Sequence, residues 1–197
     1  EKRVDPGTAF SADNGTNTGQ TNVSRVKQTE LDALSTFLKG SLGYDPGAYQ
    51  GYDFNTESSK ILAKIDWNIN SKHKFGVRFN SLRSLKDIGS SASGSFTGGR
   101  ISSLNTINYS NNNYEIHNDI NSLIGQLNTR ISNKISNEVI FGWTANRDYR
   151  RVKGGLFPLV DILDGTGADR SYVSFGAEPF TPNNVLNTDT WQASDNI

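Results

Sequence analysis

From Ser59 to Ile69 the chain alternates. Ile61, Ala63, Ile65, Trp67 and Ile69 fall on one parity, and Lys60, Leu62, Lys64, Asp66 and Asn68 on the other. After Asn70-Ser71-Lys72-His73 the alternation resumes, with Phe75, Val77 and Phe79 set against Lys74, Gly76, Arg78 and Asn80. Side chains alternate across a strand, so this pattern predicts a β-hairpin with one apolar and one charged face, turning at 70–73. A second window repeats the plan. Leu123, Gly125, Leu127, Thr129 and Ile131 oppose Ile124, Gln126, Asn128, Arg130 and Ser132. A turn at 132–136 then leads to Val139, Phe141, Trp143 and Ala145 against Glu138, Ile140, Gly142 and Thr144. Ile61, Ile69 and Phe79 of the first hairpin recur as Leu123, Ile131 and Phe141 of the second, a repeat of architecture rather than of identity.

The connections separate fold classes. The hairpins occupy 58–81 and 118–150, and between and around them run irregular segments at 1–57, 82–117 and 151–197, rich in Ser, Gly and Asn. Connections beyond about 12–15 residues are uncommon in compact soluble domains. Outer-membrane barrels, by contrast, alternate short periplasmic turns with long extracellular loops, and each of their strands crosses the bilayer in about 9–11 residues. The expected fold is therefore all-β: part of a transmembrane β-barrel, with two antiparallel hairpins, long external loops and one short loop helix. For that helix Thr29 is the expected cap, Leu31, Leu34, Phe37 and Leu38 the apolar stripe, and Gly40 the stop.

Facing follows from cost. A basic side chain directed at lipid near the bilayer midplane costs about 2–4 kcal/mol. Lys60, Lys64, Asp66, Arg78 and Arg130 are therefore expected to face a lumen, where they meet water, other protein or passing substrate. Ile61, Ile65, Trp67, Phe75, Val77, Phe79, Phe141 and Trp143 are expected to face lipid, Trp67 as an interface anchor beside the turn.

Composition narrows the remaining chemistry. The 197 residues carry equal numbers of basic and acidic side chains, so no net field points to nucleic acid. Only 34% of residues are hydrophobic and the mean hydropathy is −0.56, but 10% are aromatic, which with the ordered alternation argues against a disordered chain. No run approaches the roughly 18 apolar residues of a membrane helix, and the absence of cysteine excludes disulfides and thiolate metal sites. Asp161, Asp164 and Asp169 around Gly165-Thr166-Gly167 are the candidate cation ligands, but their spacing is not that of a calcium loop. His73 and His117 read as solvated turn and strand residues. No nucleophile elbow, phosphate loop or justified carboxylate pair is present, so no enzyme activity and no cofactor is expected.

Several further segments carry a resemblance: Gly43-Tyr44-Asp45-Pro46-Gly47, Lys64-Ile65-Asp66-Trp67-Asn68-Ile69-Asn70, Asn146-Arg147-Asp148-Tyr149-Arg150, Phe157-Pro158-Leu159-Val160-Asp161-Ile162, Gly176-Ala177-Glu178, Asn183-Asn184 and Asp195-Asn196. In this order, over nearly the whole chain, they resemble the Oar-like TonB-dependent outer-membrane receptors of Bacteroidetes-type bacteria. The resemblance implies a barrel of about 22 strands around a plug. It implies localisation in the bacterial outer membrane, with lipid, the plug and the rest of the barrel as neighbours. TonB would act through segments not in this sequence, and an unidentified ligand would be imported. Two other classes share the pattern: a secreted or surface β-sheet binding module of adhesin type, and an outer-membrane structural protein without transport.

Overall fold

The alternating windows form strands longer than the pattern alone suggests. The computed structural model describes residues 1–16, 20–95, 99–166 and 170–197. Its elements in chain order are β1 (Lys2–Pro6), β2 (Ser11–Asp13), β3 (Val23–Lys27), α1 (Gln28–Leu42), β4 (Asp53–Asn68), β5 (His73–Ile88) and β6 (Ile107–Asn108). A 3-10 turn at Ser110–Asn112 precedes β7 (Tyr114–Arg130), β8 (Ser136–Val152), β9 (Val160–Leu163), β10 (Ser171–Phe175) and β11 (Val185–Asn196). Both expected hairpins are present, β4–β5 and β7–β8, and they lie side by side in a six-stranded antiparallel sheet of order β1-β4-β5-β7-β8-β11. The sheet is open, with β1 and β11 at its edges.

Register fixes the two faces, because paired residues in a sheet share a side. One row reads Ile65, Val77, Gly125, Phe141, Ala193; the rows on either side of it on that face read Trp67, Phe75, Leu127, Val139 and Ala63, Phe79, Leu123, Trp143, Trp191. Among the described residues this apolar face has no protein layer over it: Ile65 is 71% exposed, Trp67 61% and Phe141 54%. β-branched and aromatic side chains suit such a surface and account for the strand preference of these segments.

The long segments differ from the expectation in extent and in order. The excursion expected at 82–117 is shortened at both ends, since β5 continues to Ile88 and β7 begins at Tyr114. Backbone pairing to neighbouring strands continues there although the apolar alternation has ended. The irregular segments pack together into a cap carrying the molecule's buried hydrophobic cluster: Val26, Leu31 and Leu38 from the first, Ile107 and Tyr109 from the second, Val173 and Phe175 from the third. β6, β10 and β9 form a small sheet inside this cap, β6–β10 parallel and β10–β9 antiparallel.

The helix is where the sequence predicts it, with different ends. It begins at Gln28 rather than after Thr29, and its N-cap Lys27 makes no side-chain cap bond. Its start is held tertiarily: the Lys27 amide donates to the Tyr172 hydroxyl, which in turn donates to Glu30 Oε2. Gly40 lies inside the helix; the stop is Gly43, whose φ of 63° is left-handed and whose N–H returns to the Leu38 carbonyl. Leu31 and Leu38 are buried, whereas Phe37 is mostly exposed.

Candidate functional site

The charged face of the long sheet gathers the residues predicted to share it. Lys64 pairs across β4–β5 with Arg78, Asp66 with Gly76 and Asn68 with Lys74, and Lys60 lies farther along the same face. Arg130 is on the same parity of β7, opposite Ser136. All five predicted residues, Lys60, Lys64, Asp66, Arg78 and Arg130, are exposed. The Lys64 ammonium contacts Asp66 Oδ2 at 2.8 Å, while Lys60, Lys74, Arg78 and Arg130 have no ion-pair partner among the described residues. Leu62, 69% exposed, and the partly buried Ile124 and Ile140 interrupt the face.

A depression of about 280 Å³ opens on this face toward the hairpin turns, walled by Lys64, Asp66, Lys74, Arg78, Gln126 and Asn128. Gly76 forms its floor, where an added Cβ would meet Asp66 Oδ1 at 3.1 Å. Gln126 donates from Nε2 to Glu138 Oε2, so the carboxylate nearest the β7–β8 side is already engaged. Gln126, Asn128 and Glu138 fall on the polar parity that the alternation assigns them, the same face as Arg130, without having been named as site residues.

Beyond the apolar rows, the other face turns polar. Arg83 pairs with Asp119, and Asp119 with Arg147. His117 stacks on Tyr149 with centroids 4.6 Å apart, and its Nε2 lies 2.9 Å from Glu115 Oε2. His73 beside the turn meets Thr129 Oγ1 at 3.0 Å. No groups of acidic or histidine side chains suited to a metal ion occur among the described residues.

Two of the candidate cation ligands, Asp161 and Asp164, lie in the cap, each paired with an arginine. Asp161 Oδ2 accepts from Arg100 Nε at 2.9 Å, and its Oδ1 accepts from the Ser174 hydroxyl at 2.7 Å. Asp164 Oδ1 accepts from the Thr166 amide and hydroxyl, while Oδ2 lies 2.6 Å from Arg25 Nη2. The Thr166 amide and hydroxyl first, then Arg25, hold the Asp164 carboxyl well below the usual carboxylate range. Asp169 lies outside the described residues. Asp161 and Asp164 thus face two different guanidinium groups, Arg100 and Arg25.

How far the cap is built from buried polar groups was not legible in the sequence. Arg100, 3% exposed, also donates from Nη1 to the Ser91 and Ser93 carbonyls, which ties those two residues to Asp161 of β9. Asn113 Oδ1 accepts from the Ser90 amide and from Asn108 Nδ2, and Asn112 Nδ2 donates to the Gly176 carbonyl. Gly176, at φ 99°, is required there: a Cβ would lie 2.1 Å from the Pro158 carbonyl oxygen. At the junction with the sheet, Asp87 takes the Asn55 amide and the Lys153 ammonium.

No protein-family model, no curated protein and no solved structure matches this chain.

Proposed function

We propose that the chain forms part of the barrel wall and the external loops of a TonB-dependent outer-membrane transporter that imports a ligand. The observation that carries this reading is the division of four long, consecutively paired strands into an uncovered apolar face and a charged face. A soluble monomer rarely leaves so large an apolar surface bare, whereas lipid covers it without cost. On this reading Ile61, Ile65, Trp67, Phe75, Val77, Phe79, Phe141 and Trp143 meet acyl chains, and Lys60, Lys64, Asp66, Arg78 and Arg130 line the lumen. The open backbone edges of β4, beyond its short pairing with β1, and of β11 would pair with further strands of the barrel. The strands, at 16 and 17 residues, exceed a bilayer crossing, so their polar outer halves would stand above the membrane and carry the cap. Transport itself rests on the resemblance, with the cap as the ligand-facing surface and TonB supplying the energy.

Spin labels at cysteines replacing Ile65, Val77, Leu127 and Phe141 should be relaxed by oxygen in the bilayer. Labels replacing Lys64, Arg78, Asn128 and Thr144 should be relaxed by a water-soluble nickel chelate. Equal access of the chelate to all eight positions would remove the barrel reading. The cap's own buried core favours a second reading, a surface binding module of adhesin type. A monomeric, cooperatively folding protein in detergent-free buffer would refute the barrel reading and favour that one instead. Ligand uptake that persists without TonB would leave a barrel but not this class of transporter.

A further inference from the structure

We propose that the depression over Gly76 is a recognition site for small multivalent oxyanions, solutes bearing carboxylate or phosphate groups, with Lys74, Arg78 and Lys64 as its cationic ligands. The inference rests on the reading of the charged face as a lumen wall and names the chemistry of what that wall would handle.

Three observations converge. First, the charge on this half of the face is one-sided: Lys60, Lys64, Lys74, Arg78 and Arg130 stand against Asp66 and Glu138. Second, the acids are spoken for. Asp66 contacts Lys64, Glu138 accepts from Gln126, and Lys74 and Arg78 are left without a carboxylate partner among the described residues. An unpaired guanidinium presents a planar fork of donors matched to carboxylate and phosphate oxygens, and a lysine beside it adds a point charge. Third, the space is shaped. With no side chain at Gly76, the row between Lys64–Arg78 and Asn68–Lys74 is open, giving about 280 Å³, room for an anion of citrate or pyrophosphate size. The Asn128 amide adds a neutral donor at its wall. A cation would meet only Asp66 there, already shared with Lys64.

The test uses the protein as it occurs in cells, fractionated and then purified, with citrate and pyrophosphate as probes and spermidine as the charge-reversed control. Calorimetric titration should show salt-sensitive binding of both anions and none of spermidine. The pair Lys74→Gln and Arg78→Gln should weaken anion binding by about tenfold or more, whereas Arg78→Lys should retain part of it. Lys39→Gln, which removes one exposed charge from the cap helix, should leave it unchanged. Gly76→Val, which fills the floor without altering charge, should also weaken it, and far-ultraviolet dichroism of each variant checks the strands. Equal affinity of the wild type and the Lys74/Arg78 pair, or equal binding of spermidine, overturns the site. So does an absence of binding in protein recovered from membranes. Anion binding by protein found wholly in the soluble fraction would uphold the site and sink the barrel reading, which separates the two failures.

Discussion

Tyr109 and Phe141 are both large aromatic residues, yet one is wholly buried and the other 54% exposed. Tyr109 sits in the cap, donates from its hydroxyl to the Leu31 carbonyl at 2.6 Å, and packs edge-on against Tyr49 and Phe175. Phe141 sits on the long sheet and has only neighbours along the strand surface, among them Trp191 at 5.7 Å between centroids. The two regions obtain their order differently. The cap is held by burial, with loops closed over a core and their polar groups satisfied inside. The sheet is held by its backbone ladder, and its apolar face is uncovered among the described residues. A region held by its own core responds to truncation of that core; an uncovered apolar face responds to charge according to the medium it meets.

Truncating the cap's centre should give the largest effect. Tyr109→Ala removes the aromatic body and leaves the Leu31 carbonyl and the Ser35 hydroxyl without their partner. Loss of about 3–5 kcal/mol is expected. Hydrogen exchange resolved by segment should show residues 20–52, 99–113 and 170–184 losing protection together, with the β4–β5 and β7–β8 ladders retaining theirs. Simultaneous loss across the sheet would show that the two regions form one cooperative unit.

The complementary change is Phe141→Lys. In water the position is already exposed, so the substitution should alter stability by only a few tenths of a kcal/mol. In a bilayer the same lysine should cost about 2–4 kcal/mol, read as a shift in the denaturant midpoint for refolding into lipid vesicles. Equal small effects in both media would mean that this face does not meet lipid.

Alkali should separate the regions next. Burial first of all raises the Tyr109 hydroxyl from its ordinary 10.0 to about 12. The folded cap therefore holds the neutral phenol while an unfolded cap ionises earlier. The associated stability, on the order of 2–3 kcal/mol, is fully present below pH about 10 and is lost as pH rises toward 12. Tyrosine ionisation followed by ultraviolet difference absorbance should coincide with loss of cap protection, and Tyr109→Phe should flatten that part of the pH dependence.

The contrast also explains what could be read in advance. Both hairpins were legible because period-2 alternation is a local signal, repeated over many residues. The two faces were legible for the same reason, since register along a strand preserves parity. The cap was not. Ile107, Tyr109, Val173 and Phe175 come from short pieces with no period, and their partners lie far off in sequence, as Tyr109 does from Leu31. Asn108, Asn112 and Asn113 read as loop composition, but in the structure they are the buried groups that satisfy the loop backbone. The helix ends were misjudged because a tyrosine from β10, not a neighbouring threonine, secures the first turn. The depression was half legible: parity identified its charges, whereas the missing side chain at Gly76 became a cavity only once Asp66 was its cross-strand partner.

The smallest expected effect compares two ion pairs of nearly equal length. Arg100 and Asp161 lie 2.9 Å apart in the cap with side chains 3% and 18% exposed, and Lys64 and Asp66 lie 2.8 Å apart on the sheet with side chains 55% and 67% exposed. Coulomb attraction at equal distance differs by the dielectric around it, and the exposed pair is also screened by salt. A double-mutant cycle at Lys64 and Asp66 should therefore return under about 1 kcal/mol, falling further in high salt. The cycle at Arg100 and Asp161 should return about 2–3 kcal/mol and change little with salt, because the pair is largely withdrawn from water. The comparison also reports on what covers the charged face. Were that face packed against other protein, water would be excluded from Lys64 and Asp66, and their coupling would climb toward that of the cap pair and lose its salt dependence. A wet lumen wall keeps the coupling small and leaves the Lys64 ammonium free to exchange Asp66 for a passing anion. Citrate should then reduce the Lys64–Asp66 coupling while leaving the Arg100–Asp161 coupling untouched.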